Sequence, residues 1–145
     1  MKKTDFMIDD IVLVKRMKKE DIVAKVEAIG SSFVMIEEEN DQHNPHNFEN
    51  IEPVALQGSF FEENGFSVRK YSTRNFFELH KDLPNGTGLW DVSICQDGGE
   101  PTDFYATIEN YENDTDVSIC CKYIHQLQHA LRLCELDEIA DKFKV

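Results

Sequence analysis

His125 and His129 stand four residues apart near the end of the chain, and Cys121 precedes them by another four. Imidazole nitrogens and thiolates are zinc ligands, and on a helix a spacing of four stacks side chains one turn apart. Such a set could hold a metal if a further ligand came from elsewhere. The helical wheel argues for a plainer reading. His129 points almost opposite the Leu127 and Leu131 stripe, His125 lies well away from it, and no Glu accompanies the pair as in an HExxH helix. Two exposed helix histidines with no metal are the expectation. His43 and His46 flank Asn44-Pro45 close to Asp41. Two imidazoles and a carboxylate suit a transition metal, but Asn-Pro is also ordinary turn chemistry, and the segment reads as a polar loop.

A nucleophilic enzyme needs Cys or Ser beside a base that a third group orients. Cys120 falls on the apolar stripe of the expected helix and reads as inert. Cys121 falls on its shoulder, near the helix N-terminus, where a thiolate is favoured. One reading is therefore a metal- or thiol-dependent hydrolase using Cys121, His125 or His129. No nucleophile elbow and no glycine-rich phosphate loop supports it, so no catalytic residue and no cofactor is assigned.

Lys15, Arg16, Lys18 and Lys19 form the one basic cluster. It could touch phosphates or an acidic partner, although a solvated hairpin turn beside Glu20 and Asp21 accounts for it. The carboxylates gather as Glu37-Glu38-Glu39, as Asp97, Glu100 and Asp103, and as Glu109, Glu112, Asp114 and Asp116. Arranged on one face, such carboxylates could imitate a DNA backbone and occupy a basic groove, and the last group is the candidate contact surface; dispersed, such runs are solvated loops. Trp90, Phe104 and Tyr105 read as core or rim, and would mark a partner surface if exposed.

These residues need elements to place them. Ile11 to Val14, Asp21 to Ile29 and Phe33 to Ile36 read as strands, with a turn at Gly30-Ser31-Ser32. Glu37 to Asn47 reads as a loop, and Phe48 to Leu56 as a last strand that Pro53 confines to an edge or a turn. So many short strands in 56 residues predict a small SH3-like β-barrel over residues 1–56. Gly58 to Gly65 reads as a short helix, capped by Ser59 and ended by Gly65 in a left-handed conformation. Phe66 to Leu79, Leu89 to Cys95 and Phe104 to Tyr111 then form an antiparallel meander, with turns at Leu83-Pro84-Asn85-Gly86 and Gln96-Asp97-Gly98-Gly99. Asp116 to Ser118 offer caps for a helix in which Cys120, Ile124, Leu127, Leu131 and Cys134 recur at helical spacing, and Leu136 to Phe143 adds a shorter one. Residues 57–145 are thus expected to form a helix, three strands and a long helix lying across the sheet. The fold class is α+β, in two units that could pack as one body.

Composition sets the outer limits. The chain has 145 residues, 41% of them hydrophobic and 30% charged, which suits a globular core rather than a disordered chain. The formal charge of −13 is uneven: residues 1–27 carry seven Lys/Arg and six Asp/Glu, and the remainder eight against twenty-two. That balance argues against general nucleic-acid binding and against anionic membranes, and leaves room for a basic protein partner. Four Cys without a CxxC spacing read as free thiols in a reducing compartment. With no secretory signal and no run of the roughly 18 apolar residues that a membrane span needs, the expected location is the cytoplasm.

Lys25-Val26-Glu27-Ala28-Ile29, Asn50-Ile51-Glu52-Pro53-Val54-Ala55-Leu56, Asn64-Gly65-Phe66 and Tyr123-Ile124-His125-Gln126-Leu127-Gln128 follow one another along the chain. In these pieces and their order the chain resembles a group of short proteins of unknown function common in gut bacteria, their phages and mobile elements. Such proteins begin with a small β-barrel and end with a helix carrying the His-Gln-Leu-Gln string. The resemblance implies an accessory role in a phage or mobile element and brings no activity or catalytic residues with it. The chain departs from the pattern at Cys120-Cys121 and in its length after Cys134. The expected function is a non-enzymatic interaction or accessory factor whose partner is another protein. An acidic counter-defence inhibitor of a basic nucleic-acid site is the alternative beside the hydrolase.

Overall fold

The computed structural model describes residues 5–38, 42–71, 74–82, 89–96, 103–110 and 114–144. It is α+β, with two five-stranded antiparallel sheets and three short helices among the described residues. β1 (Ile11–Val14), β2 (Ile22–Ile29), β3 (Phe33–Glu38), β4 (Gln42–Asn47) and β5 (Ile51–Pro53) form the first sheet, in the order β4-β3-β2-β1-β5. The order ends at β4 and β5, and no closed barrel forms among the described residues. β2 curves instead: its register against β3 slips between Val26 and Ala28, leaving Glu27 as an extra residue, and a bulge of this kind bends a strand.

The expected loop at Glu37 to Asn47 is in fact the end of β3 and the whole of β4; Glu39 and Asp41 lie outside the described residues. β4 reads Gln-His-Asn-Pro-His-Asn with every residue exposed or half-buried. An edge strand without a buried face has no apolar alternation to betray it. Val12, Val14, Val26, Val34, Ile36 and Ile51 make the core of this sheet, and Phe6 closes it.

The second half holds five strands where three were expected. After α1 (Gly58–Glu63) come β6 (Ser67–Tyr71), β7 (Arg74–Asp82), β8 (Leu89–Gln96), β9 (Phe104–Asn110) and β10 (Thr115–Cys121), paired in sequence order. The piece read as one strand from Phe66 to Leu79 is a hairpin, Tyr71 facing Arg74. The expected turns at 83–86 and 97–99 lie outside the described residues. α1 begins at Gln57 without a side-chain cap, so Ser59 is not its cap. Gly65 does end it, at φ +83°, with Phe66 N–H donating to Phe61 C=O.

Asp116 to Ser118 do not cap a helix but lie in β10, with both following cysteines. α2 spans only Ile124–Leu133. Gln126 reaches back to the residues before the helix, its Oε1 accepting from the N–H groups of Lys122 (2.8 Å) and Tyr123 (3.2 Å), while in the first turn Ile124 N–H donates to Val54 C=O at 2.9 Å. α3 (Asp137–Asp141) follows. Leu127 and Leu131 on α2, Ile139 and Ala140 on α3 and Phe60 and Phe61 on α1 share one core with Val92, Ile94, Phe104, Ala106 and Ile108 of the sheet. All three helices therefore lie on one face of the second sheet. Phe61 is its hub, stacked on Phe77 at 4.7 Å and edge-on to Phe66 at 5.3 Å.

Candidate functional site

The two helix histidines are not the exposed, idle pair that the wheel implied. The turn before β1 lies over them. His125 is 6% exposed; its ring stacks on Tyr123 at 5.8 Å, meets the His129 ring edge-on at 5.5 Å and leans on Phe6 at 6.2 Å. Its Nδ1 is buried without a hydrogen-bond partner. Burial pushes this imidazole below its usual 6.5; the Asp10 and Asp5 carboxylates pull the other way and His129 adds to the lowering. His129 Nε2 lies 2.8 Å from Asp10 Oδ2. A helical wheel shows what one helix buries against its own sheet; it cannot show a loop from 115 residues away settling on the opposite side.

Asp10 organises this contact. Its carboxylate has no solvent exposure. Arg132 Nη1 donates to Oδ1 at 2.6 Å, and Met7 N–H donates to Oδ2 at 2.7 Å. Arg132 reaches on to Asp141 of α3, its Nη2 3.0 Å from Oδ1. The fully buried Gln128 works beside it: Oε1 accepts from Ile11 N–H at 3.0 Å, while Nε2 donates to the carbonyls of Asp9 (2.9 Å) and Ala140 (3.0 Å). Lys25 Nζ donates to the Asp141 carbonyl. Gln128, the last residue of the His-Gln-Leu-Gln string, thus holds β1, α2 and α3 together. The sequence shows a polar residue flush with the apolar stripe, one place from Leu127; that was the available signal for a buried polar clamp.

As a metal site the arrangement is incomplete. Among the described residues no three His, Cys, Asp or Glu side chains are placed to hold an ion. Cys121 sits at the end of β10 in the core, where burial pushes its thiol up to about 12, so it holds no thiolate at neutral pH. The expected roles of the cysteine pair are reversed: Cys121 is buried and Cys120 exposed. A strand alternates its faces every residue, and the helical period assigned the pair wrongly.

His43 and His46 are separated by three along β4, an odd step that puts them on opposite faces. His43 Nδ1 meets Glu27 at 2.7 Å and His46 Nε2 meets Glu38 at 2.7 Å. Glu38 also receives Arg16 at 3.3 Å. Burial would raise its pKa, but the His46 contact and the Arg16 and Lys19 charges prevail and hold the carboxyl below its usual range. Lys15 pairs with Asp21 at 2.8 Å, so half of the basic cluster is committed inside the protein.

The outer face of the second sheet carries the acidic candidates. Across three adjoining strands Asp91 stands opposite Glu109, and Glu109 opposite Asp116. The next level reads Ser67, Glu78, Ser93, Thr107 and Ser118, and the one beyond it Arg69, Phe76, Cys95, Tyr105 and Cys120. Tyr105 and Tyr71 are 52% and 55% exposed, whereas Trp90 and Phe104 lie in the core. Arg69 bonds Glu78 at 2.6 Å and sits 6.0 Å above the Tyr71 ring. Asp114 is exposed at the start of the same edge, and Glu112 lies outside the described residues. Of the other acidic runs, Asp97 and Glu100 also lie outside them.

A cleft of about 600 Å³ opens at the junction of the two halves, lined by Ala55, Leu56, Gln57, Phe104, Lys122 and Tyr123 among others. Neither Cys121, His125 nor His129 lines it. Its ammonium, Lys122, lies 3.4 Å from Asp103 Oδ1, close enough to pair but not aligned for a hydrogen bond. No protein-family model, no curated protein and no solved structure matches this chain.

Proposed function

We propose that the protein is a non-enzymatic interaction factor that binds a basic partner protein through the outer face of its second sheet. The observation that carries this reading is the layout of that face: the helices all pack on the opposite side, and the acidic, hydroxyl and aromatic side chains stand in register across it. Exposed tyrosines rimmed by charge are the composition of a contact surface. The first half is an SH3-like unit in this reading, supported by its strand order and by the 3-10 turn Phe48–Asn50 before β5. The cytoplasmic setting and the accessory role in a phage or mobile element rest on the resemblance stated above and on the free thiols.

The test is capture of partners from the native host by the tagged full chain, followed by cross-linking. Thr107→Arg and Tyr105→Ala, both in mid-face, should abolish capture while leaving the melting temperature within a few degrees. Capture that survives both substitutions removes the face from consideration.

One observation favours the inhibitor reading. Asp91, Glu109 and Asp116 sit on neighbouring strands, about 4.8 Å apart, a line of charge of the kind that a basic groove binds on DNA. An inhibitor would compete with duplex DNA for the captured partner; a partner that binds both together is not inhibited in this way.

A further inference from the structure

We infer that the free edge of β10 accepts an added strand: an extended segment of a partner protein with apolar residues at alternate positions and Lys or Arg on its other face. This rests on the reading of the second sheet as an interaction surface and names how the partner joins it.

The two sheets have four edges, β4, β5, β6 and β10. An edge presents open N–H and C=O groups to any passing strand, and proteins guard edges with Pro, with Lys or Arg, or by keeping them short. β4 carries Pro45. β5 is three residues long and ends in Pro53. β6 carries Arg69 and Lys70. β10 runs for seven residues as Thr-Asp-Val-Ser-Ile-Cys-Cys with none of these devices. Among the described residues the linker from the first sheet meets the chain beyond it, where Leu56 N–H donates to Lys122 C=O and Ile124 N–H to Val54 C=O.

The side chains of β10 say what would fit. Val117 and Ile119 face the core yet stay only half-buried. Apolar residues on a neighbouring strand would finish covering them. Asp116, Ser118 and Cys120 face outward and are exposed. Asp116 ends the line begun by Asp91 and Glu109, so a cation opposite it would make a cross-strand pair of opposite charge. The formal charge of −13 draws a basic segment and opposes a second copy of the chain at the same edge. Main-chain bonds would supply affinity and alternate side chains the selection, as in other strand additions.

The probe is a blocked peptide, acetyl-Thr-Val-Lys-Val-Lys-Val-Thr-amide, added to the full chain while amide hydrogen exchange is followed. Exchange should slow about tenfold or more at those amides between Asp116 and Cys120 that point away from β9, and the effect should fade at high salt. Asp116→Lys should weaken the peptide about tenfold, and a peptide with Glu in place of Lys should recover binding to that variant. Ser118→Lys, an exposed change that installs the missing guard, should also abolish protection while leaving the fold intact. Three results would overturn the proposal: no protection of β10 at millimolar peptide, protection confined to another element, or self-association through β10 without peptide. The outcome is separable from the broader reading: capture of the partner reports on the face, and amide protection of β10 by the peptide reports on the edge.

Discussion

Gln128 concentrates three tertiary hydrogen bonds in one buried side chain, to β1, to the turn before it and to the end of α3. Gln128→Leu keeps the volume and strips all three, leaving buried peptide groups unmet. At about 1 kcal/mol for each net bond the loss should be about 2–3 kcal/mol in urea unfolding. Its neighbour His125 sets a pH dependence. The unfolded chain takes up a proton on this imidazole below its usual 6.5, and the folded chain, where burial depresses the pKa, does not. Its contribution is therefore complete above that pH and is lost as pH falls towards the depressed folded value. Stability measured from about pH 7 to 5 should fall more steeply for the native chain than for His125→Phe, which has nothing there to titrate.

β10 offers the sharpest test at the scale of elements. Strand alternation exposes Cys120 and buries Cys121, whose thiol is pushed up to about 12. A thiol reagent should modify Cys120 in the folded protein at once, and Cys121 and Cys134 only after unfolding. Two helix ends form a second, opposed pair. Gly65 takes φ +83° with nothing within 4 Å of the place a Cβ would occupy, whereas Glu135 takes φ 60° without being glycine. Gly65→Ala should cost about 1 kcal/mol and Glu135→Gly should stabilise by up to about 1 kcal/mol in thermal unfolding. The elements that could be read from the sequence were those with an unambiguous period or a strong stop: β1 to β3, the Gly65 end of α1, and the Ile124, Leu127 and Leu131 stripe of α2. The others failed for particular reasons. β4 has no buried face. β10 ends in Cys-Cys, with Ile124 following four residues after the first of them, so strand and helix periods overlap at the junction. The candidate residues were seen but misplaced, because Asp10 and Phe6 reach His125 and His129 from the far end of the chain.

At the scale of the whole molecule, the two sheets have separate cores, but Ile11 of the first sheet belongs to the core of the second. The Asp10, Arg132 and His129 contacts and the Gln128 bonds cross the same boundary. Urea should therefore unfold the native chain in a single transition. Asp10→Ala leaves Arg132 without its buried partner and should cost about 3 kcal/mol. It should also separate the transition into two, with the first sheet melting earlier, when tryptophan fluorescence from Trp90 is compared with circular dichroism. A single transition in that variant would mean that the core around Ile11 couples the halves unaided.

The bond from Ile11 N–H to Gln128 spans 117 positions, and this orders events during synthesis. The ribosome releases β1 well before Gln128. A nascent first sheet can pair its strands, but the 117 positions that follow Ile11 must be made before its N–H finds its acceptor. Stalled or truncated chains ending before α2 should consequently be the forms that proteases clear.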